Sequence, residues 1–215
     1  MRRQLSRMAL VAVILLFPSA CTTPPAALPN AASPTQTPAA PMSEGETLFR
    51  AYVDSFNQQD ISAALTLFAD QDLSFRTADM TRVEKSAVRT LLEGGIGEGE
   101  TLEVTICADK EGKTVCQALA RKPPCLKAQC GLDIFHGEAT IVPKNGKIQQ
   151  FTILPSSSDD QAACAMNYGK YAAWAQANRA DDWRKIDAGP GQSLPALEWG
   201  KLSASVCQAY LDSQQ

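Results

Sequence analysis

The sequence predicts an α+β fold in which helices come first, an antiparallel sheet follows, and further helices end the chain. Three observations carry this prediction. Apolar residues recur at helical spacing up to about residue 94 and alternate with polar ones from about residue 100. The turn sequences DKEGKT and KNGK separate consecutive strands, and helical spacing returns after residue 157. Helices followed by hairpin-linked strands are the α+β order.

The first 20 residues have the order of an export signal. Three arginines lie within the first seven residues, the nine-residue apolar run ALVAVILLF follows, and the small residues Ser19 and Ala20 end the segment. That run is too short for a membrane-spanning helix, which needs about 20 apolar residues. We therefore predict a signal peptide over residues 1–20.

Cys21, directly after these small residues, resembles the cleavage site of bacterial lipoproteins, in which the cysteine becomes the acylated first residue. That family usually has Leu three residues before the cysteine, where this chain has Pro18. Cleavage nearby, which would release a soluble periplasmic or secreted protein, is the alternative. Thr22 rather than Asp follows, as in lipoproteins of the outer membrane. We expect a palmitate-type anchor on Cys21 that holds the protein to the bilayer of a bacterial cell envelope, facing the periplasm.

A tether, one main domain and an extension are expected after the signal. Residues 21–42 comprise the lipidated cysteine and an uncharged Pro/Ala-rich segment, which is too poor in large apolar residues to fold. Residues 43–156 are predicted to form the main domain and 157–215 a C-terminal helical extension. Without the arginines of the signal, 17 basic residues stand against 23 acidic ones, so the net charge of −6 disfavours nucleic acid as a partner.

Three short helices are predicted before the sheet. Apolar stripes recur at helical spacing in residues 43–57, 60–70 and 81–94, and each segment opens on residues suited to cap a helix. These capping residues are Ser43 with Glu46, Asp60, and Thr81 with Glu84.

Four strands are predicted at about 100–109, 113–121, 132–142 and 147–154, and the two turns set their register. The Asn-Gly pair of KNGK favours a two-residue type I′ turn, which places Glu138 opposite Ile153. Centring the other turn on Glu-Gly places Cys107 opposite Cys116, at a close pair that accepts a disulfide.

The chain has seven cysteines, so setting Cys21 aside leaves an even number. Exported proteins meet oxidising conditions, and we therefore predict disulfides. The preferred pairing, one of fifteen, is Cys107–Cys116, Cys125–Cys130 and Cys164–Cys207. A metal site formed by Cys125, Cys130 and His136 is the rival, although it supplies too few ligands for a tetrahedral centre. No metal and no cofactor are predicted.

Two further helices are predicted at 159–183 and from Ser193 to about 213, separated by GPG at 189–191. Tyr and Trp residues recur on one face of each helix. We interpret these aromatic faces as core, and the Cys164–Cys207 bond would join the helices into a hairpin.

The stretch YVDSFNQQDISAALTLFADQDLSFR and the closing NGKIQQFTILP resemble the NTF2-like superfamily, also called SnoaL-like or ketosteroid-isomerase-like. The resemblance covers about residues 44–155. It implies a cone, in which a strongly curved antiparallel sheet wraps around three helices and encloses a pocket.

The resemblance also implies candidate site residues. In ketosteroid isomerases of this superfamily, a tyrosine and an acid donate hydrogen bonds to the substrate oxyanion while an aspartate takes the proton. Matching the quoted segments gives Tyr52 for the tyrosine, Glu138 for the acid and Arg76 where the aspartate should be. Arginine, whose pKa exceeds about 12, does not abstract a proton at neutral pH. This departure argues against isomerase chemistry of that type.

The predicted pocket residues are Tyr52, Arg76, His136, Glu138 and Phe151. His136 and Glu138 are two apart on a strand and share a face, which the predicted register makes the face of Phe151. A general acid/base site with His136 beside Glu138 is one interpretation. A structural cluster in which Glu138 pairs with Arg76 is the other.

Two functions follow. The first is a noncatalytic lipoprotein whose NTF2-like domain binds a small apolar ligand or a partner protein at the envelope. The alternative is an envelope isomerase or dehydratase that uses Tyr52, His136 and Glu138. A subunit of an envelope assembly is a third possibility that no motif selects. A monomer is slightly favoured over a homodimer, on the expectation that the C-terminal helices cover the outer face of the sheet.

Overall fold

The computed structural model of the protein describes residues 41–77, 81–122 and 124–215. The predicted signal peptide, Cys21 and nearly all of the predicted tether lie outside the described residues. In chain order the elements are α1 (Glu44–Asn57), α2 (Ile61–Thr66), β1 (Ser74–Arg76), β2 (Thr81–Arg82), α3 (Lys85–Gly97), β3 (Thr101–Lys110), β4 (Lys113–Arg121), α4 (Cys125–Cys130), β5 (Phe135–Lys144), β6 (Lys147–Pro155), α5 (Ser158–Asn178), α6 (Ala180–Asp187) and α7 (Ala196–Asp212). Within the described ranges, no helix is long and apolar enough to cross a membrane.

The six strands form one curved, open sheet in the order β2-β1-β6-β5-β4-β3. Neighbouring strands are antiparallel except β1 and β6, which run parallel. Helices α1 and α3 contribute buried apolar side chains to the core on the inner face of this sheet. The predicted α+β fold, with a curved sheet around N-terminal helices, is confirmed.

The first two helices begin where their capping residues predicted. The Ser43 side chain accepts a hydrogen bond from the backbone N–H of Glu46, and Asp60 accepts one from the N–H of Ala63. The predicted start of the third helix is wrong. Thr81 lies in β2 opposite Arg76, and α3 begins only after Glu84 without a side-chain cap.

Both predicted turns form with left-handed backbone at Glu111-Gly112 and Asn145-Gly146, as a type I′ turn requires. Cys107 lies opposite Cys116 as predicted, with the two Cα atoms 4.0 Å apart and a disulfide between them.

The predicted register of the last hairpin is wrong beyond its first two pairs. An irregularity between Val142 and Pro143 shifts the pairing by one residue, so Glu138 lies opposite Leu154 instead of Ile153. A shift of one residue exchanges the two faces of a strand. Ala139 and Ile141 are therefore buried on the inner face, whereas His136 and Glu138 are exposed on the outer face.

Two of the three predicted disulfides are wrong. The structure pairs Cys125 with Cys207 and Cys130 with Cys164. The segment from Cys125 to Cys130 is helix α4. Residues five apart in a helix are separated by about 7.5 Å along its axis, beyond the roughly 7 Å between Cα atoms that a disulfide can bridge. Each cysteine of α4 therefore bonds to another helix, Cys130 to α5 and Cys125 to α7.

The C-terminal helices build a second core with α4 around Tyr171, Trp183 and Val206. The predicted hairpin is instead three helices, because the first predicted helix ends at Asn178 and α6 follows separately. Helix α7 crosses α3 where Gly97 and Gly200 meet, and a Cβ on either glycine would collide with the other helix's backbone. These helices pack mainly on α3 and α4, and the oligomeric state stays a prediction.

Candidate functional site

A cavity of about 380 Å³, here called the central cavity, opens between the inner face of the sheet and helices α1 and α3. Most of its wall is apolar. The apolar residues of the wall are Phe56, Phe75, Leu91, Leu92, Leu102, Phe135, Phe151, Ile153, Leu154 and Pro155. Polar side chains of Tyr52, Thr77, Glu100 and Lys122 complete it.

Aromatic side chains pack against one another at the base of this cavity. The ring of Phe151 lies 4.9 Å from that of Phe75 and 5.2 Å from that of Tyr52, measured between centroids. Phe68 closes the group with an edge-on contact to Tyr52. Since such offset and edge-on pairs hold rings in fixed positions, the apolar wall is preformed.

A cluster of three charged side chains, of which Glu98 is buried, occupies the polar side of the cavity. The Lys122 ammonium lies 3.1 Å from a carboxylate oxygen of Glu98 and 3.1 Å from one of Glu100. The other carboxylate oxygen of Glu98 accepts a hydrogen bond of 2.8 Å from the hydroxyl of Ser203, which is fully buried on α7. Glu98 is satisfied on both oxygens, whereas Glu100 faces the cavity.

Burial shifts the proton affinities of the groups in this wall. It raises the pKa of Glu100 above its ordinary value, although the charge of Lys122 opposes the shift. Burial alone would lower the pKa of Lys122, but Glu100 and Glu98 together raise it, so the ammonium stays charged. Burial also raises the pKa of Tyr52, and the negative charge of Glu100 adds to this effect. Tyr52 is therefore a hydrogen-bond donor at neutral pH.

The sheet register places Glu100 beside Lys122. Thr101 pairs with Arg121 at the open end of the β3–β4 hairpin, and Glu100 and Lys122 are the residues immediately outside this pair. Gly95 makes room for the carboxylate, because a Cβ there would lie 2.6 Å from a carboxylate oxygen of Glu100. Lys122 belongs to the segment RKPPCLK, which its charges alone suggest to be a solvated loop.

The five predicted pocket residues divide into two groups. Tyr52 and Phe151 line the central cavity. Arg76 is exposed, and its neighbour Phe75 turns into the cavity instead. His136 and Glu138 lie on the outer face of β5, so the predicted cluster of Tyr52, His136 and Glu138 does not form.

His136 takes part in a different interaction. Its ring Nδ1 lies 2.9 Å from a carboxylate oxygen of Asp160, and its backbone N–H donates to the same oxygen at 3.0 Å. Burial alone would raise the pKa of Asp160, but the hydrogen bonds from His136 lower it below its ordinary value. The side chain of His136 is 53% exposed, and His136 is not among the residues that line the central cavity.

The rival metal site is contradicted, because Cys125 and Cys130 are each bonded to another cysteine and have no free thiolate. Across the described ranges, no group of three or more His, Cys, Asp and Glu side chains is placed to hold a metal ion.

No protein-family model matches the sequence, and no curated protein matches it. Solved structures do show similarity. A cystatin-fold protein from Novosphingobium aromaticivorans is 16% identical, covers 53% of this chain and 98% of its own, and has a TM-score of 0.43. An NTF2-like protein from Cytophaga hutchinsonii is 9% identical over 54% of this chain and 91% of its own, with a TM-score of 0.42. An epoxide hydrolase from M. tuberculosis is 12% identical over 58% and 91%, with a TM-score of 0.46. At identities this low, the similarity concerns the fold only and assigns no ligand or reaction to this chain.

Proposed function

We propose that this protein is an envelope lipoprotein whose central cavity binds a small apolar molecule that carries one polar group. The observation that supports this most directly is the cavity itself. Its volume of about 380 Å³ lies within the range of small-molecule sites, roughly 300 to 1,000 Å³. Its wall is mainly aromatic and aliphatic, with the polar groups Tyr52, Glu100 and Lys122 among its lining residues. A few polar groups in an apolar wall are typical of ligand sites.

The polar group of the ligand is expected to accept hydrogen bonds. Tyr52 keeps its proton at neutral pH, so its hydroxyl donates to an oxygen of the ligand. A ketone, an ester or an alcohol accepts this hydrogen bond. An apolar molecule without an oxygen would leave the Tyr52 hydroxyl unpaired at a cost of about 1 to 3 kcal/mol.

An envelope isomerase or dehydratase is the second candidate. The specific observation in its favour is that Glu100, a carboxyl with a raised pKa, lines the same cavity as the donor Tyr52. In its ionised form Glu100 would take a proton from a carbon next to a carbonyl and return it two carbons further along, while Tyr52 donates to the oxygen. This assignment replaces Arg76, His136 and Glu138, which lie outside the cavity wall.

Titration calorimetry with 2-naphthol, an apolar molecule with one hydroxyl, tests the binding proposal. We expect saturable binding that Ile153→Trp weakens at least tenfold, because Ile153 lines the central cavity. Thr152→Trp is the matched control, since its side chain lies on the opposite face of the same strand. Equal affinity in the two variants, or no saturable binding to the parent protein, would refute the proposal.

Conversion of 3-cyclohexenone into its conjugated isomer, followed by ultraviolet absorbance, tests the enzymatic candidate. We expect turnover that Glu100→Gln abolishes, because an amide cannot carry the proton. Binding of 2-naphthol without turnover leaves the noncatalytic function.

The number of cysteines outside disulfides supports the lipid anchor. Six of the seven cysteines form disulfides in the described part of the chain, and Cys21 is the seventh. Attachment of lipid to Cys21 would consume the remaining thiol and hold the domain at the periplasmic face of the outer membrane. A partner protein of the envelope is the alternative ligand at that location. Mass spectrometry of the unreduced protein from membranes should give an acylated chain that begins at Cys21. A mature chain that begins further downstream would contradict the anchor.

A further inference from the structure

A second cavity of about 610 Å³, here called the lateral cavity, lies between the sheet and helices α4 and α5. We propose that the lateral and central cavities are two chambers of one continuous site, whose ligand is an elongated, uncharged molecule such as a long-chain alcohol. This inference rests on the proposed binding function and extends it, because it adds the length and the charge of the ligand.

The two cavities lie on the same face of the sheet. Leu102 pairs with Ala120 and Ala120 pairs with Phe135, so these residues form one row across β3, β4 and β5. Side chains of directly paired residues point to the same face. Leu102 lines the central cavity, Ala120 lines the lateral cavity, and Phe135 lines both. The sheet therefore does not separate the two cavities.

The boundary between the cavities consists of side chains that both of them share. Lys122, Phe135 and Pro155 line the central and the lateral cavity alike. Each of these three residues is half-buried, and the side chain of Lys122 is 36% exposed. A ligand in either cavity touches the same three side chains, so a flexible chain that fills one cavity continues into the other.

The sizes and walls of the cavities favour a long apolar ligand. The central cavity, at about 380 Å³, is near the lower end of the range of small-molecule sites, roughly 300 to 1,000 Å³, and the lateral cavity adds the larger share. Leu126 and the Cys130–Cys164 disulfide supply apolar wall on the helical side of the lateral cavity. Since this disulfide ties α4 to α5, the two helices that form this wall are covalently joined.

The charges at the boundary favour an uncharged ligand. The Lys122 ammonium already lies 3.1 Å from a carboxylate oxygen of Glu98 and 3.1 Å from one of Glu100. One ammonium and two carboxylates offer no net positive charge to an anion, even when Glu100 is protonated. The other polar side chains of the lateral cavity, Gln129 and Gln161, are neutral amides. A hydroxyl or an ester meets these groups without needing a counter-charge.

Titration calorimetry of the full chain with farnesol, a long flexible alcohol, and with the short 2-naphthol tests the continuity of the site. We expect saturating 2-naphthol to block farnesol, because both ligands would occupy the central cavity. Farnesoic acid, the carboxylate of the same chain, should bind at least tenfold more weakly than farnesol, because burial of an unpaired charge is costly. Simultaneous binding of farnesol and 2-naphthol would refute the shared site, and equal affinity for farnesol and its acid would refute the uncharged ligand.

Two variants locate the bound farnesol. Gln161→Trp fills the lateral cavity from an exposed position and should weaken farnesol at least tenfold while leaving 2-naphthol unchanged. Exclusion of about two methylene groups suffices for this, since each buried group strengthens binding about fourfold. Ile153→Trp in the central cavity should weaken both ligands at least tenfold. The matched controls are Gln176→Trp, at an exposed position of the same helix, and Thr152→Trp, and both should bind like the parent.

The same measurements separate failure of the continuous site from failure of the proposed function. If 2-naphthol binds but farnesol binds Gln161→Trp like the parent, the ligand occupies the central cavity alone. If farnesol binds Ile153→Trp like the parent, it occupies the lateral cavity alone. Either result would overturn the continuous site and leave the proposed function standing. No binding of 2-naphthol to the parent would refute the proposed function, and the continuous site with it.

Discussion

The disulfide between Cys125 and Cys207 is expected to stabilise the protein more than the one between Cys107 and Cys116. In the loop-closure description, a disulfide acts by restricting the unfolded chain, and its effect grows with the length of the loop that it closes. Cys107 and Cys116 are 9 residues apart, for which this relation gives about 2.5 kcal/mol. Cys125 and Cys207 are 82 residues apart.

The loop between Cys125 and Cys207 contains a second bond, Cys130–Cys164, which shortens the path through the unfolded chain. With that bond intact the effective loop is roughly 50 residues, for which the same relation gives about 4 kcal/mol. Replacing Cys125 and Cys207 by Ala should therefore cost about 1.5 kcal/mol more than replacing Cys107 and Cys116 by Ala. The difference is measured as free energies of unfolding in urea without reductant.

A thiol titration on the same unfolded variants checks the pairing itself. With the pairing seen in the structure, removing Cys125 and Cys207 exposes no thiol beyond the number in the parent. With the pairing expected from sequence, the same change would leave Cys130 and Cys164 free. Two additional thiols per chain, or equal losses of stability in the two double variants, would refute the reasoning.

Three other predictions concern charge and register. Because the pKa of Glu100 is raised in the folded protein, the free energy of unfolding should fall as pH rises from about 4.3 through that pKa. Glu100→Gln should remove this fall, measured as the urea midpoint at each pH. Parallel pH profiles of the variant and the parent would contradict the prediction. The lowered pKa of Asp160 has the opposite effect: the stability from its hydrogen bonds with His136 is present above the ordinary pKa and is lost as pH falls. Asp160→Asn should therefore reduce the loss of stability at acidic pH in the same urea measurements. An unchanged loss at acidic pH would contradict this. Ile141→Ala should cost about 2 to 5 kcal/mol in urea unfolding and Thr140→Ala within about 0.5 kcal/mol, because only Ile141 is on the inner face; equal losses would contradict the shifted register.

The parts of the fold that depend on local signals were predictable from sequence. Helices α1 and α2 begin at Ser43 and Asp60 because a side-chain oxygen of each capping residue satisfies a free backbone N–H three residues further along. The start of α3 was not predictable in this way. Thr81 has a capping side chain, but its backbone pairs with Arg76 in the sheet, and that pairing decides its conformation.

The disulfides show the same division between local and distant information. Cys107–Cys116 follows from a turn within the hairpin and was predicted correctly. The partners of Cys125 and Cys130 depend on how α4, α5 and α7 pack, and sequence spacing holds no record of that packing. Recognising that the segment from Cys125 to Cys130 is a helix would have excluded the bond between them, because the helix holds these residues too far apart.

Two irregularities of one residue each explain why Glu138 lies outside the pocket and why the pair of Glu100 and Lys122 was missed. Counting from its turn, the β3–β4 hairpin would place Glu100 opposite residue 123, but the shift between Val104 and Cys107 places it opposite Lys122. The corresponding shift after Val142 moves Glu138 to the outer face. The irregularity in the β3–β4 hairpin thus brings Glu100 and Lys122 together, which counting from the turn misses. The irregularity in the β5–β6 hairpin moves Glu138 out of the pocket in which counting from the turn places it. A turn sequence fixes register only as far as the first bulge, and both sets of site residues lie beyond that point. Glu100 and Lys122 are therefore stronger candidates than Glu138 for the polar groups of the binding site, because two paired strands and the buried partner Glu98 hold them close together.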